Sequence, residues 1–355
     1  LTRTRALWLA FGILLAGLWS CAEVGPPPGG PADITPPLVV RVSPDSAAVN
    51  VPASAPIRIT FTERVDEKSI ERALWVTPGG ASKPRIDFKG DAVEIKLGRA
   101  FPESTTLSVL ITTLLRDRRA ESRENHIAKP IHWVFSTGAT IWPGSIRGTL
   151  EKVGVQTGQG VVLITLYEER GDSIPNPTTA DPIAVTEPDS SGRFALTGLP
   201  VRGQQLWLFA IYDRDGNREI HGPGEFVSAE PDSIVLTPDR PEMAVKLRLV
   251  DPHAPATLEG TLVSVDADTV AKWVELTRLG ADSTSVPPRR GALSKKGAFS
   301  LAGLQPGKYQ LAVFCDLNGN NQHDADEPST PYGEVDLAPG ARRQVGDWRV
   351  SGCLP

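Results

Sequence analysis

The chain is 355 residues long, which suits two or three domains better than one small core. Only 6% of its residues are aromatic and 40% hydrophobic, while 33 Gly and 32 Pro work against long helices and favour short strands joined by turns. The formal charge of −5 comes without a clustered basic face, which excludes a nucleic-acid binder.

Arg3 and Arg5 lead an apolar stretch from Ala6 to Trp19, closed by the small residue Ser20. That order describes an export signal over residues 1–20, since a bilayer span needs about 20 apolar residues. Leu18-Trp-Ser-Cys21 resembles a bacterial lipobox, and the resemblance implies cleavage before Cys21 and lipidation of its sulfur. An ordinary signal peptide with an incidental cysteine is the other reading. The anchor is favoured because the apolar run stops just before Cys21 and a Gly/Pro-rich tract, Gly25-Pro-Pro-Pro-Gly-Gly-Pro31, starts just after it. Residues 21–35 then form a lipidated spacer, partly extended because proline fixes φ. The mature chain would have 335 residues and, without Arg3 and Arg5, a charge of −7. Ala22 stands where an inner-membrane retention signal carries Asp, so resemblance to Gram-negative sorting rules implies the outer membrane.

From residue 36 to 138 the pattern has period two. Ile57, Ile59 and Phe61 alternate with Arg58, Thr60 and Thr62; Val93, Ile95 and Leu97 alternate with Glu94 and Lys96; Ile131, Trp133 and Phe135 alternate with His132 and Val134. Such alternation buries one face of a strand and wets the other. With Val39–Val42, Leu74–Thr77, Arg85–Phe88 and Leu107–Thr112, about seven strands fall in about 100 residues, the density of a β-sandwich. Asp66 is expected to cap one helical turn through Ser69 and Ile70. The richest basic run, Arg116-Asp-Arg-Arg119 with Arg123, is interleaved with Asp117, Glu121 and Glu124 and reads as a solvated loop. The string Thr35-Pro-Pro-Leu-Val-Val-Arg-Val-Ser-Pro44 … Ile57-Arg-Ile-Thr-Phe61 … Val65-Asp66 … Val134-Phe-Ser-Thr-Gly138 resembles the bacterial Ig-like domain of the S-layer-protein type. It departs from that family in a late loop, where Asp117-Arg-Arg-Ala-Glu replaces Asp-x-x-Gly-Asn, and at Leu107, where an aromatic is common.

From Ile141 onwards the chain repeats itself. Residues 141–250 contain Ile146-Arg-Gly148-Thr-Leu150, Gly192-Arg-Phe194-Ala-Leu196-Thr-Gly198-Leu199 and Leu206-Trp-Leu-Phe-Ala-Ile-Tyr-Asp213. Residues 256–355 contain Leu258-Glu-Gly260-Thr-Leu262, Gly297-Ala-Phe299-Ser-Leu301-Ala-Gly303-Leu304 and Tyr309-Gln-Leu-Ala-Val-Phe-Cys-Asp316, with Pro252–Pro255 at the joint. The shared Gly-x-Phe-x-Leu-x-Gly-Leu string is similar to carboxypeptidase-regulatory-like (transthyretin-like) modules. The fold expected is therefore all-β: three consecutive β-sandwich domains, one Ig-like and two transthyretin-like. That resemblance specifies fold far better than activity.

One constellation carries chemistry. The second repeat reads Asp316-Leu-Asn318-Gly-Asn320-Asn-Gln322-His-Asp324-Ala-Asp326-Glu327, with side-chain oxygens at offsets 1, 3, 5, 9 and 12. A calcium loop supplies ligands at those offsets, ending in a bidentate Glu. The ligand set read from this spacing is Asp316, Asn318, Asn320, Asp324 and Glu327, although Asn321 stands where glycine usually turns the chain. The first repeat offers Asp213, Asp215 and Asn217, with His221 at the ninth position and Glu225 four further on. The alternative is that Asp, Asn and Gly are what tight turns are made of. With Cys21 lipidated, Cys315 and Cys353 remain as a pair that an oxidising envelope would join, contributing about 3–4 kcal/mol; two buried free thiols are the alternative.

No catalytic arrangement emerges. The five histidines (His126, His132, His221, His253, His323) lack metal-ligand spacing, His126 reading as a loop residue and His132 as strand surface. There is no Gly-x-Ser-x-Gly elbow and no phosphate loop. Three functions compete. The first is a non-enzymatic envelope lipoprotein, tethered to a membrane by its lipid and contacting an envelope protein or glycan. The second is a carbohydrate-binding module using Trp142, Trp207, Trp273 or Trp348, although a tryptophan on or beside a strand is more often half-buried. The third, a hydrolase with a site between domains, lacks a nucleophile–base pair.

Overall fold

The computed structural model describes residues 35–79, 84–98, 100–118, 125–156, 158, 160–169, 171, 173–229, 231–264, 270–280 and 287–350. The export signal, Cys21, the spacer up to residue 34 and Cys353 lie outside the described residues. The architecture is all-β, with one short helix among the described residues.

The first sandwich is built from β1 (Val39–Ser43), β2 (Ile57–Phe61), α1 (Glu67–Ala73), β3 (Leu74–Thr77), β4 (Arg85–Lys89), β5 (Ala92–Lys96), β6 (Thr106–Ile111) and β7 (Ile131–Ser136). A four-stranded sheet, β1-β2-β5-β4, faces a three-stranded one, β3-β6-β7. The alternation does what period two requires: Ile57, Ile59 and Phe61 are buried against Val93, Ile95, Leu107 and Phe135, while Arg58 points out. On the outer face Glu94 gathers Arg58, Lys89 and Lys96, and hydrogen bonds from Arg58 and the two lysines hold its carboxyl down to about 2. Asp66 caps α1, accepting from the Ser69 N–H at 2.7 Å.

The two repeats have the same strand plan. The first runs β8 (Gly144–Val153), β9 (Val161–Glu168), β10 (Ala184–Thr186), β11 (Arg193–Leu199), β12 (Gln205–Asp213), β13 (Phe226–Val227), β14 (Asp232–Val235) and β15 (Glu242–Val250). The second runs β16 (Ala256–Ser264), β17 (Ala271–Arg278), β18 (Arg289–Ala292), β19 (Ala298–Leu304), β20 (Gly307–Asp316), β21 (Ser329–Leu337) and β22 (Arg342–Val350). One sheet is β11-β8-β15 in the first and β19-β16-β22 in the second, each closed by a parallel pair. The other is β10-β9-β12 with β13 and β14 on β12, matched by β18-β17-β20-β21. The repeated Gly and Phe explain each other. Phe194 pairs with Gly148 and Phe299 with Gly260, and each ring fills the space a Cβ would need, 2.5 Å from Phe194 Cζ and 2.7 Å from Phe299 Cζ.

The repeats differ in their outer faces. In β9 and β12 nearly every residue is buried, so both faces of that sheet are covered, whereas β17 keeps alternation. Part of the cover in the first repeat is the first sandwich. Leu110, Val161, Leu163 and Val185 form one apolar cluster, with Trp75 and Leu114 packed on it.

The loop after β6 departs from the solvated run expected from its charges. Asp117 is 4% exposed and bridges Val65, Arg116 bridges His126, and the Arg116 guanidinium lies 3.5 Å from Asp66. Residues 119–124 lie outside the described residues. His132 is not strand surface either. It is half-buried beside the Ser108 hydroxyl at 2.7 Å, and burial pushes its pKa down.

Candidate functional site

Both strands β12 and β20 end on a buried aspartate, and the two loops that follow share one hydrogen-bond plan. Asp213 accepts from the N–H groups of Gly216 (2.8 Å) and Arg218 (3.0 Å). Asp316 accepts from Gly319 (2.7 Å), Asn320 (3.1 Å) and Asn321 (3.0 Å). A glutamate closes each loop: Glu225 accepts from Arg214 and Gly222, Glu327 from Leu317 and Asp324. Arg218 and Asn321 both sit at positive φ, 72° and 59°, so the missing glycine is absorbed by a left-handed residue in each copy.

Their side chains converge differently. In the second loop Asn318 and Asn320 turn their amide nitrogens onto Asp324 Oδ2, each at 2.7 Å, and their hydrogen bonds hold the Asp324 carboxyl below its usual range. Asp316 and Glu327 are occupied by backbone N–H groups. The five residues expected from spacing are thus linked by hydrogen bonds to one another and to the N–H groups of their own loop. In the first loop Asp213, Asp215 and Glu225 bring one carboxylate oxygen each within 4.8 Å of one another. Burial raises the Asp213 carboxyl to about 6, and Glu225 and Asp215 push the same way, against the Arg218 and Gly216 N–H groups. Asn217 instead turns its amide nitrogen to Asp215, while His221 lies exposed near Glu219. Three convergent carboxylates suit a hard cation with oxygen ligands, so the first loop fits calcium better than the second.

The first loop also docks on the first sandwich. The Arg218 guanidinium donates to the carbonyls of Glu71 (2.8 Å) and Leu74 at the C-terminal end of α1, and lies 4.8 Å from the Trp75 ring centre. Arg72 donates back to the Asp215 carbonyl at 3.2 Å. Gly216 is pressed against the same surface, since a Cβ there would lie 2.8 Å from Leu114 Cδ1; the matching Gly319 has nothing within 4 Å. Gly198 likewise abuts Thr106, whereas Gly303 faces open space. On the far side of the joint, Thr113 donates through its N–H and its hydroxyl to the Glu187 carboxylate. Spacing alone did not single out Arg218, Glu187, Thr113 or Trp75. The available signal was the unbroken apolar run of β9 and β12, which demands a cover on both faces.

Among the described residues, the four candidate tryptophans form no exposed platform. Trp348 is a core residue at 7% exposure, while Trp142, Trp207 and Trp273 are half-buried, Trp142 beneath the Arg202 guanidinium at 5.1 Å. Cys315 is buried and disulfide-bonded.

Three solved structures align with this chain at low similarity. A Bacillus anthracis TIE protein aligns with 92% of this chain and 59% of its own, at 12% identity and a TM-score of 0.24. A putative cell adhesion protein from Bacteroides ovatus aligns with 60% of this chain and 92% of its own, at 12% identity and a TM-score of 0.29. The minor pilin of Streptococcus agalactiae aligns with 60% of this chain and 99% of its own, at 15% identity and a TM-score of 0.20. Similarity this low carries no argument about function. No curated protein matches the sequence. Residues 33–137, a stretch that includes the strands of the first sandwich, match the family described as the bacterial Ig-like domain.

Proposed function

We infer that the protein is a non-enzymatic lipoprotein of the cell envelope, anchored through Cys21 to the outer membrane, whose three sandwiches serve structure and contact with an envelope partner. The observation that carries this reading is the use made of its charged clusters. The Asp213 loop, Arg72, Arg218 and Glu187 hold a loop and a domain joint together, and none is arranged as a nucleophile with its base. Resemblance of the repeats to transthyretin-like modules, a joined Cys315–Cys353 pair and calcium at the aspartate loops belong to the same proposal. Calcium's part would be to stiffen a loop, with Asp213, Asp215 and Glu225 as its first holders. The glycan-binding alternative is not adopted, because Trp348 is core and the other three candidates are half-buried.

The test is expression of the full chain and its Cys21→Ser variant in a Gram-negative host. The acylated N-terminal cysteine should be seen by mass spectrometry and the protein recovered with outer membranes. The variant should be released or left unprocessed. An unmodified Cys21 in a freely secreted product would end the reading.

A further inference from the structure

The sequence scatters the cations of the Ig-like sandwich between Arg41 and Lys96, but its four-stranded sheet sets five of them on one outer face. Register places Arg41, Thr60, Ala92 and Lys89 in one row across β1, β2, β5 and β4, and Ser43, Arg58, Glu94 and Asp87 in the next. Lys96 and Arg85 follow. Five cations thus share the face with two carboxylates, in a chain whose formal charge is −5. The negative charge lies low. The Glu94 side chain is 6% exposed under Arg58, Lys89 and Lys96, whose own exposures are 53%, 59% and 52%. Asp87 is bracketed in the same way by Arg85 and Lys96. The acids nearest in sequence, Asp45, Glu63 and Asp91, stand in turns and loops outside the strands.

The same sheet has an apolar margin. β1 is its edge strand, and a bulge between Val39 and Arg41 lets Val39 and Val42 pack on the core while Val40 and Arg41 both stay outside. Val40 is 65% exposed and Leu38 59%, more than any other large hydrophobic side chain among the described residues. Exposed apolar groups beside a basic face suit a peripheral bilayer contact: the first enter the headgroup layer and the second meet its phosphates. We propose that the β1-β2-β5-β4 face is a membrane-contact surface, with Leu38 and Val40 dipping into an anionic bilayer and Arg41, Arg58, Lys89 and Lys96 meeting its lipid phosphates. The proposal rests on the envelope reading for its bilayer. Leu38 follows closely on the linker proposed to carry the anchor, so lipid and face would hold the same membrane.

Vesicle flotation of the full chain carrying Cys21→Ser tests the face without an acyl chain. It should bind phosphatidylcholine vesicles containing about one third phosphatidylglycerol more tightly than vesicles of phosphatidylcholine alone. In that background Arg41→Glu with Lys89→Glu should lower the affinity about tenfold or more, and Leu38→Ser with Val40→Ser about fivefold. All four side chains are exposed, so the melting temperature should stay unchanged. Absence of binding, equal binding to both compositions, or an affinity that either double variant leaves unchanged overturns the proposal. A concentration-dependent dimer dispersed by the same variants, without vesicle binding, would give the face to a second copy and overturn it too. Because no acyl chain takes part, an unmodified Cys21 in the native protein would sink the anchored reading and leave this measurement standing.

Discussion

Glu187 shows how a single carboxylate can report on a domain joint. It is held by two donors from Thr113, yet burial is the larger effect and raises its pKa. The folded form therefore holds the proton more tightly than the unfolded chain. Its contribution to stability is fully present below the ordinary glutamate value and is lost as pH rises through the folded value. Glu187→Gln can keep both contacts, with its carbonyl accepting from the Thr113 N–H and its amide donating to the hydroxyl. We expect the melting temperature of the native protein to fall between pH 4.5 and 7.5 relative to that of Glu187→Gln. The difference between the two curves isolates this carboxylate from Asp213, whose carboxyl is raised to about 6 and contributes with the same sign. Parallel curves would show that Glu187 is not responsible.

At the scale of elements, the two aspartate loops share a hydrogen-bond skeleton but not a use. The skeleton was legible from the matched Asp-x-[Asp/Asn]-Gly-Asn strings, because each aspartate is spent on N–H groups that its own loop supplies. The direction of the side chains was not legible. Offsets rank the second loop first for calcium, whereas three carboxylates converge in the first; in the second, Asn318 and Asn320 donate to Asp324. Millimolar calcium should therefore raise the melting temperature. Asp215→Asn, which keeps the acceptor for the Asn217 N–H, should abolish that rise, while Asp316→Ala should lower stability without abolishing it. A rise lost only in Asp316→Ala would restore the second loop as the site.

At the scale of the whole molecule, the Ig-like sandwich and the first repeat are joined by an apolar cluster flanked by Arg218 and Glu187. Arg218→Ala removes two hydrogen bonds and a ring contact and should weaken the joint by about 2 kcal/mol. Urea unfolding followed by tryptophan fluorescence should show these two domains melting together in the native protein and separately in the variant; one unchanged transition would deny the joint its cooperativity. Alternation at Ile57–Phe61, the doubled Gly-x-Phe string and the Asp66 cap could be read directly, since each depends on neighbours within a strand, a hairpin or a turn. The joint could not. Arg218 meets Glu71 across 147 residues of chain, and its contact depends on where two finished sandwiches come to rest. The sequence by itself determined sheets, repeats and loop skeletons, because those follow from local periodicity and backbone bonding. Only tertiary structure decided which of two near-identical loops would clasp a neighbour, because that choice lies in shape and burial between distant surfaces.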